Sequence, residues 1–175
     1  MHDFNGDGWN DILVVGFPGT PAFVYRNPGR DGLTGLWDKL QVADSVSNEA
    51  PQFTDITGDG QPELVCTRQG HYGYYSAAPA DPLGAWQFQE ISEKIAPTPF
   101  GHGLGVGDLN GDGRLDMIAT DGWLQHPADP AAQKLWQFHR YPFAPAAADM
   151  FALDVDGDGD ADVISALHEI GRAHV

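Results

Sequence analysis

Four acidic nonapeptides hold most of the residues in this chain that could do chemistry. They read DFNGDGWND, DITGDGQPE, DLNGDGRLD and DVDGDGDAD, and they begin at Asp3, Asp55, Asp108 and Asp154. In each, side chains with oxygen atoms occupy positions 1, 3, 5 and 9, and glycines occupy positions 4 and 6. A hard cation such as Ca²⁺ takes roughly 6–8 oxygen ligands, so this pattern predicts one cation site in each loop.

The spacing assigns a role to each position of the loop. Positions 1, 3 and 5 place three side chains on one concave face of a tight turn, position 7 offers a backbone carbonyl, and position 9 closes the site. Glycine at position 6 permits the positive φ of such a turn. The predicted metal residues are Asp3, Asn5, Asp7, Trp9 and Asp11; Asp55, Thr57, Asp59, Gln61 and Glu63; Asp108, Asn110, Asp112, Arg114 and Asp116; Asp154, Asp156, Asp158, Asp160 and Asp162.

Other metal sites fit the nonapeptides less well. An EF-hand needs Glu at position 12 and a following helix, whereas position 12 here holds Val14, Cys66, Ala119 or Ser165. Magnesium favours few protein ligands and retained water. Zinc and iron favour His or Cys, which the nonapeptides lack. Calcium is therefore the predicted ion, with up to four bound.

The four loops differ in ligand strength. Loop four has carboxylates at all four side-chain positions, whereas loop two has Thr57 at position 3 and the longer Glu63 at position 9. A hydroxyl is a weaker ligand than a carboxylate. We therefore expect loop two to bind calcium most weakly.

Composition narrows the classes of function. The net charge is −16, and more than half of the 25 acidic residues lie in the four nonapeptides. A surface that binds nucleic acid or anionic lipid needs clustered Lys and Arg, so neither partner is expected. Cys66, the one cysteine, sits in an apolar run and is expected to be a small buried hydrophobe. No apolar run is long enough for membrane insertion.

Short apolar runs follow each loop and predict buried strands at 12–16, 64–67, 117–120 and 163–167. Second strands are expected at 22–27 and 72–77, and lead-in strands at 100–107 and 149–153. Trp37, Trp86 and Trp136 each open a further strand, with Val42, Ile91 and Tyr141 five residues later. We expect these tryptophans to be packing anchors between repeats. Four strands in about 50 residues is the scale of a β-propeller blade.

These motifs resemble the FG-GAP or VCBS repeat family, whose best-known relative is the integrin α-chain head. The resemblance rests on the nonapeptide, the strand that follows it and the spacing, and it covers nearly all of residues 1–168. It implies an all-β, partial β-propeller of about three to four four-stranded blades, where the family usually has seven. It also implies calcium at positions 1, 3, 5 and 9, with a structural role.

The expected organisation is one propeller segment, 1–168, with repeats near 1–48, 49–100, 101–147 and 148–168. Residues 169–175, EIGRAHV from Glu169, resemble a translated sequencing adapter and are expected to be a non-native tail. The chain is expected to be a fragment of a longer repeat protein. No signal peptide precedes the first loop.

Two functions remain open. The first is an extracellular or periplasmic scaffold that binds a protein or glycan partner, the location following from the weak calcium affinity of such modules. The second is a carbohydrate-active lyase or dehydratase, since some of these enzymes use similar propellers. Its catalytic candidates are His71, Tyr72, His102 and His126. These candidates support an enzymatic function only if His71, His102 and His126 converge on one face.

Overall fold

The computed structural model describes residues 1–32, 34–97, 100–145, 147–166 and 173–174. Over these residues the chain is all-β, with short antiparallel strands, one 3₁₀ turn at Arg30–Gly32 and no α-helix. This confirms the predicted fold class. None of the described residues forms a helix long and apolar enough to cross a membrane.

The strands form four separate antiparallel sheets, each made of consecutive strands. Sheet 1 contains β1 (Ile12–Val15), β2 (Thr20–Arg26) and β3 (Asp38–Val46). Sheet 2 contains β4 (Gln52–Thr54), β5 (Glu63–Arg68), β6 (His71–Ser76) and β7 (Gln87–Glu90). Sheet 3 contains β8 (Leu104–Gly107), β9 (Asp116–Ala119), β10 (Gly122–Gln125) and β11 (Gln137–Arg140). Sheet 4 contains β12 (Met150–Leu153), β13 (Asp162–Ala166) and β14 (Ala173–His174).

The sheets are consistent with blades of a partial propeller, and they do not close into a barrel. The predicted strands are present with shifts of one to a few residues at their ends. The lead-in strand before loop three is shorter than predicted, because Phe100 and Gly103 have positive φ angles of 66° and 74°. A β-strand needs negative φ, so β8 begins only at Leu104.

The core lies in the seams between neighbouring sheets. The first seam, between sheets 1 and 2, buries Ala22, Val24, Val42, Ala43, Val46, Leu64, Cys66, Tyr75 and Trp86. The second seam, between sheets 2 and 3, buries Ile56, Val65, Tyr72, Ile91, Ala96, Leu104, Met117, Ala119, Leu124 and Trp136. Cys66 is fully buried, which confirms its role as a core residue.

The third seam is smaller and joins sheets 3 and 4 through Ile118, Ala147 and Met150. Glycines bring the two lead-in strands together here. A Cβ on Gly105 would lie 2.3 Å from the Met150 carbonyl oxygen, and one on Gly107 would lie 2.2 Å from the Ala152 Cβ. Both distances are far inside van der Waals contact, so β8 and β12 could not pack this closely with any other residue.

Two of the three tryptophans anchor the seams as predicted. Trp86 and Trp136 are 5% and 6% exposed. The Trp86 ring lies 5.4 Å from Phe4 and is stacked on Phe53. The Trp86 backbone N–H donates to the Val42 carbonyl at 2.7 Å, across the first seam.

The same main-chain bond recurs at the second seam, where the Trp136 N–H donates to the Ile91 carbonyl at 2.8 Å. Val42 and Ile91, which accept these bonds, are each 1% exposed. Tyr141 has the equivalent position at the third seam but is 59% exposed. The described residues of sheet 4 include no tryptophan to cover it. Trp37, which directly precedes β3, is only partly buried.

A polar contact also crosses the first seam. Arg68 on β5 forms an ion pair with Asp44 on β3, with Nε 3.0 Å and Nη2 2.6 Å from its two carboxylate oxygens. The Tyr75 hydroxyl donates to the same carboxylate. These two donors hold the pKa of Asp44 below its ordinary value of 3.8.

The predicted repeat limits and the adapter origin of 169–175 stay predictions. Within that tail, residues 169–172 and 175 lie outside the described residues, as does Leu167 of the last predicted strand. Ala173 and His174 pair with Ala166 and Ser165.

Candidate metal sites

Each acidic nonapeptide lies at one end of its sheet. In sheets 2, 3 and 4 it connects the lead-in strand to the buried strand, and in sheet 1 a bridge between His2 and Asp11 takes the place of the lead-in strand. All eight glycines at positions 4 and 6 have positive φ, from 70° at Gly111 to 95° at Gly159. The predicted turn geometry is therefore present in all four loops.

Backbone N–H groups hold the carboxylates in place. In loop one, the Asp3 carboxylate accepts the N–H groups of Asp7 at 3.1 Å and Gly8 at 2.8 Å. The Asp7 carboxylate accepts the Trp9 N–H at 2.9 Å. The other loops repeat the pattern, with Gly60, Gly113 and Gly159 donating to the position 1 carboxylates, and Gln61, Arg114 and Asp160 donating to the position 5 carboxylates. The side chain at position 7 is not needed for this pattern, which is why its residue type varies.

Loops two and four bring carboxylate oxygens close together. One oxygen each from Asp55, Asp59 and Glu63 lies within 4.8 Å of the others, and the same holds for Asp154, Asp156 and Asp162. Cation ligands on opposite sides of a shell of radius about 2.4 Å are separated by a similar distance. The donor sets of both loops therefore fit a calcium ion.

Loops one and three differ at position 9, because their closing carboxylate is already engaged on both oxygens. In loop three, Asp116 accepts the Leu109 N–H at 3.0 Å and the His126 N–H at 2.8 Å. In loop one, Asp11 accepts the N–H groups of Phe4 and Asn27 at 3.1 and 2.8 Å. Both carboxylates are fully buried.

The hydrogen-bond donors near the position 9 carboxylate explain why its two oxygens are both engaged in loops one and three but not in loops two and four. Asn27 and His126 directly follow β2 and β10, the strands that pair with the strand after each loop. In loop two the Glu63 Oε2 accepts the Ile56 N–H at 3.1 Å, and its Oε1 lies 3.5 Å from the Thr57 hydroxyl. In loop four Asp162 accepts the Val155 N–H through Oδ2. One oxygen of the closing residue thus faces the ligand cluster in loops two and four.

Position 3 also differs between loops. The Asn5 and Asn110 side chains accept the N–H of the position 5 residue, and each donates its amide to that residue's carboxylate at 2.9 Å. In loop three the Arg114 guanidinium forms an ion pair with Asp112. A cation in this loop would displace that contact.

Burial and crowding of like charges raise the pKa of two closing carboxyls. Glu63 is 2% exposed, and desolvation, followed by the charges of Asp59 and Asp55, raises its pKa to about 7. The pKa of Asp116 is raised by burial and by Asp112 and Asp108. A bound cation would relieve this repulsion, because it stabilises the ionised form of every carboxylate around it.

The histidine candidates do not converge. His71 opens β6 at the end of sheet 2 away from loop two, and its Nδ1 lies 3.0 Å from the Ser92 carbonyl oxygen. His102 precedes β8, also at the end away from the loops, and its Nδ1 lies 3.2 Å from a carboxylate oxygen of Glu49. His126 follows β10 at the acidic-loop end, with its N–H on Asp116. Tyr72 is 2% exposed within the second seam.

These four residues therefore form no shared site. The pKa of His126 is lowered by desolvation, and its ring packs edge-on against Trp136 at 4.5 Å, as expected of a core residue. Burial also raises the pKa of Tyr72. The condition set for the carbohydrate-active enzyme, three histidines on one face, is not met.

Comparison with known families addresses the loop and strand pattern directly. Residues 3–66 match a family model described as an FG-GAP-like repeat. The chain carries an FG-GAP-like repeat. The match spans loops one and two and all three strands of sheet 1, and sheets 3 and 4 repeat the same order of loop and strand. The FG-GAP-like repeat and the blade-like sheets are consistent with a β-propeller-type repeat module. No curated protein and no solved structure was found to match the chain.

The role of His126 and Asn27 as backbone partners of the closing carboxylates was not predicted from sequence. No residue type signals it, because the donor is the main-chain N–H that every residue except proline carries.

Proposed function

We propose that this FG-GAP-like module binds calcium in its acidic loops and uses the metal to brace each blade. The observation that supports this most directly is the convergence of three carboxylate oxygens within 4.8 Å in loops two and four. Without a metal, the carboxylates of such a cluster repel one another, and in loop two the charges of Asp59 and Asp55 add to the larger effect of burial in raising the pKa of Glu63. A divalent cation converts that repulsion into attraction and so stabilises the native state by mass action.

The metal's role in this proposal is structural. Each loop lies at one end of a single sheet, and among the described residues the two clusters that could hold a metal are made only of carboxylates from the loops themselves. Modules of this kind outside cells bind calcium at roughly 10⁻⁴–10⁻³ M. Such affinities suit the calcium concentrations of an extracellular or periplasmic space.

The braced propeller would serve as a scaffold for a protein or glycan partner. Loops and hairpins at both ends of the sheets remain exposed, including Trp9 at 42% and Phe17 at 67%. Exposed loops on a rigid scaffold are where binding residues concentrate in such folds. Binding to immobilised glycans and proteins, compared between calcium and chelator, would test this part of the proposal.

The calcium proposal is tested by a matched pair of variants in loop four. Asp158→Asn removes a predicted side-chain ligand, whereas Asp160→Asn removes the same charge at position 7, where only the backbone carbonyl is a predicted ligand. Calorimetric titration should show weaker calcium binding in Asp158→Asn and near-normal binding in Asp160→Asn. With calcium at about ten times Kd, each occupied loop should add roughly 1.4 kcal/mol to the free energy of unfolding.

Two outcomes would count against the proposal. One is equal loss of binding in both variants, which would indicate a diffuse effect of net charge. The other is a thermal unfolding curve that does not change between calcium and chelator. Magnesium at the same concentration is the control for ionic strength.

A further inference from the structure

A polar cleft lies between β3 and β7, the last strands of sheets 1 and 2. Gln41 and Asp44 line it from β3, Gln87 and Phe88 line it from β7, and Arg68 lines it from β5. Its volume is about 370 Å³, within the roughly 300–1,000 Å³ of small-molecule sites. Both walls belong to described sheets that pack against each other, so the cleft does not depend on what adjoins the outer faces of sheets 1 and 4.

The ion pair between Asp44 and Arg68 reaches the surface of this cleft. The two side chains are 56% and 24% exposed, respectively. Asp44 accepts two of the five N–H groups of the guanidinium, one from Nε and one from Nη2. The other three N–H groups have no acceptor among the described residues, so they are available to an acceptor from outside the chain.

Two aromatic rings hold this ion pair in place. Tyr75 is 2% exposed, and its hydroxyl donates to the Asp44 carboxylate. The centre of the Phe88 ring lies 4.9 Å from that of the Tyr75 ring and 5.5 Å from the Arg68 guanidinium carbon. Phe88 is half-buried and leaves apolar surface in the cleft. The polar groups of the cleft are therefore preorganised, which lowers the entropic cost of binding a ligand.

Two glutamine amides flank the ion pair. Gln41 and Gln87 are exposed, and neither side chain makes a hydrogen bond in the part of the chain that the structure describes. Each amide offers two N–H donors and one acceptor oxygen. Both side chains can therefore turn toward a ligand without breaking a contact within the protein.

The polar groups of this cleft do not follow the repeat. At the second seam, the positions equivalent to Asp44, Arg68 and Tyr75 hold Glu93, Asp121 and Leu124. The equivalence comes from the distance to the seam tryptophan, from the distance to the start of the acidic loop and from strand pairing, respectively. The second seam packs without these polar groups, so packing alone does not require them at the first.

We propose that the cleft between β3 and β7 binds one residue of a neutral sugar. A sugar hydroxyl is a donor and an acceptor at once, and the cleft offers both kinds of group side by side. The charges of Asp44 and Arg68 cancel, so a charged ligand of either sign would meet a like charge in the ion pair. Phe88 adds apolar surface for the C–H groups of the sugar ring. Such binding rests on the glycan partner of the proposed function and needs no calcium.

Nuclear magnetic resonance of the isotope-labelled chain tests the site directly. The probes are the methyl glycosides of glucose, galactose and mannose, each titrated to about 50 mM, because a ligand of this size is expected to bind with a millimolar dissociation constant. At least one glycoside should shift the side-chain amide signals of Gln41 and Gln87. Glucuronic acid and glucosamine should bind at least about tenfold more weakly than the neutral sugar, because each carries a charge.

A matched pair of variants assigns the binding to this cleft. Gln87→Ala removes one amide and should weaken binding of that glycoside about fivefold to tenfold. Gln137→Ala is the control, because Gln137 directly follows Trp136 as Gln87 follows Trp86, and it is also exposed on the last strand of its sheet. It should bind the glycoside as the wild type does. Since both positions are exposed, folding should be little affected, which thermal unfolding checks.

The proposal is wrong if none of the three glycosides shifts the two amide signals, or if a charged analogue binds as tightly as the neutral sugar. It is also wrong if Gln87→Ala and Gln137→Ala bind the glycoside equally, which would place any glycan site elsewhere on the module. Calorimetric titration of the same samples with calcium keeps the two proposals apart. Normal calcium binding without sugar binding would refute the sugar site alone, and sugar binding without calcium binding would refute the calcium proposal alone.

Discussion

The carboxylate of Asp116 accepts the backbone N–H of His126 at 2.8 Å, and Asp11 accepts that of Asn27 at the same distance. Both aspartates are fully buried, and each also accepts an N–H from position 2 of its own loop. In loops one and three the residue at position 9 therefore holds the loop against the neighbouring strand through hydrogen bonds that involve no metal.

Asp116→Asn should destabilise the fold even in chelator. An amide has one acceptor oxygen, so its NH₂ group would face one of the two N–H donors and leave that donor unpaired, at a cost of about 1–3 kcal/mol. Asp112→Asn, in the same loop but exposed, is the control and should change the free energy of unfolding by less. Urea unfolding in chelator measures both. Equal effects of the two substitutions would contradict this role for Asp116.

The ion pair between Asp44 and Arg68 should make the first seam sensitive to acid. The pKa of Asp44 is held below 3.8, so its stabilising contribution is complete above that value and is lost as pH falls through the lower pKa of the folded state. Because the Asp44 side chain is 56% exposed, the contribution is discounted to about 1 kcal/mol or less.

Asp44→Asn should therefore be less stable than the wild type at neutral pH. At pH values below the usual carboxyl range the two proteins should be equally stable. Measuring urea midpoints of both proteins from neutral pH to pH values below 3.8 tests the point. A difference that stayed constant over the whole range would show that charge on Asp44 is not the cause.

Loop two should bind calcium more weakly than loop four. Thr57 offers a hydroxyl where loop four offers the Asp156 carboxylate, and Glu63 must be ionised to bind although its pKa is raised to about 7. Variants that keep one loop intact, with position 5 changed to Asn in the other three, allow each affinity to be measured by calorimetry. An affinity in loop two equal to or above that in loop four would contradict the prediction.

Trp136→Ala should cost about 3–5 kcal/mol of stability, because it empties a large volume in the second seam. Trp136 is 6% exposed and packs with His126, Ile91 and Leu124. Trp9→Ala is the matched control, since Trp9 is 42% exposed in loop one, and it should cost much less. Similar losses in the two variants, measured by thermal or urea unfolding, would show that Trp136 does not anchor the seam.

The sequence predicted the features that repeat. Local rules predict three of these features: the positive φ of glycine at positions 4 and 6, the apolar strand after each loop, and the burial of the seam tryptophans. Each feature recurs about every 50 residues. The repetition is what indicates metal sites, because a single acidic turn such as 108–116 could be a solvated loop.

Features that depend on contacts between repeats were not predictable in the same way. The ion pair of Asp44 with Arg68 joins two strands through residues with no periodic counterpart, and the exposure of Tyr141 depends on what lies beyond its own repeat. The hydrogen bonds from backbone N–H groups to Asp11 and Asp116 depend on strand register, which side-chain types do not reveal. The separation of the histidines was not predictable for the same reason, because strand direction places His126 at the acidic-loop end and His71 at the opposite end.

The main-chain bonds from Trp86 to Val42 and from Trp136 to Ile91 link each sheet only to its neighbour along the chain. Under tension applied at the two termini, the sheets formed by the described residues would bear the load in series. The sheets would therefore detach one after another, each releasing its own length of polypeptide, and the smaller third seam would be the first to yield.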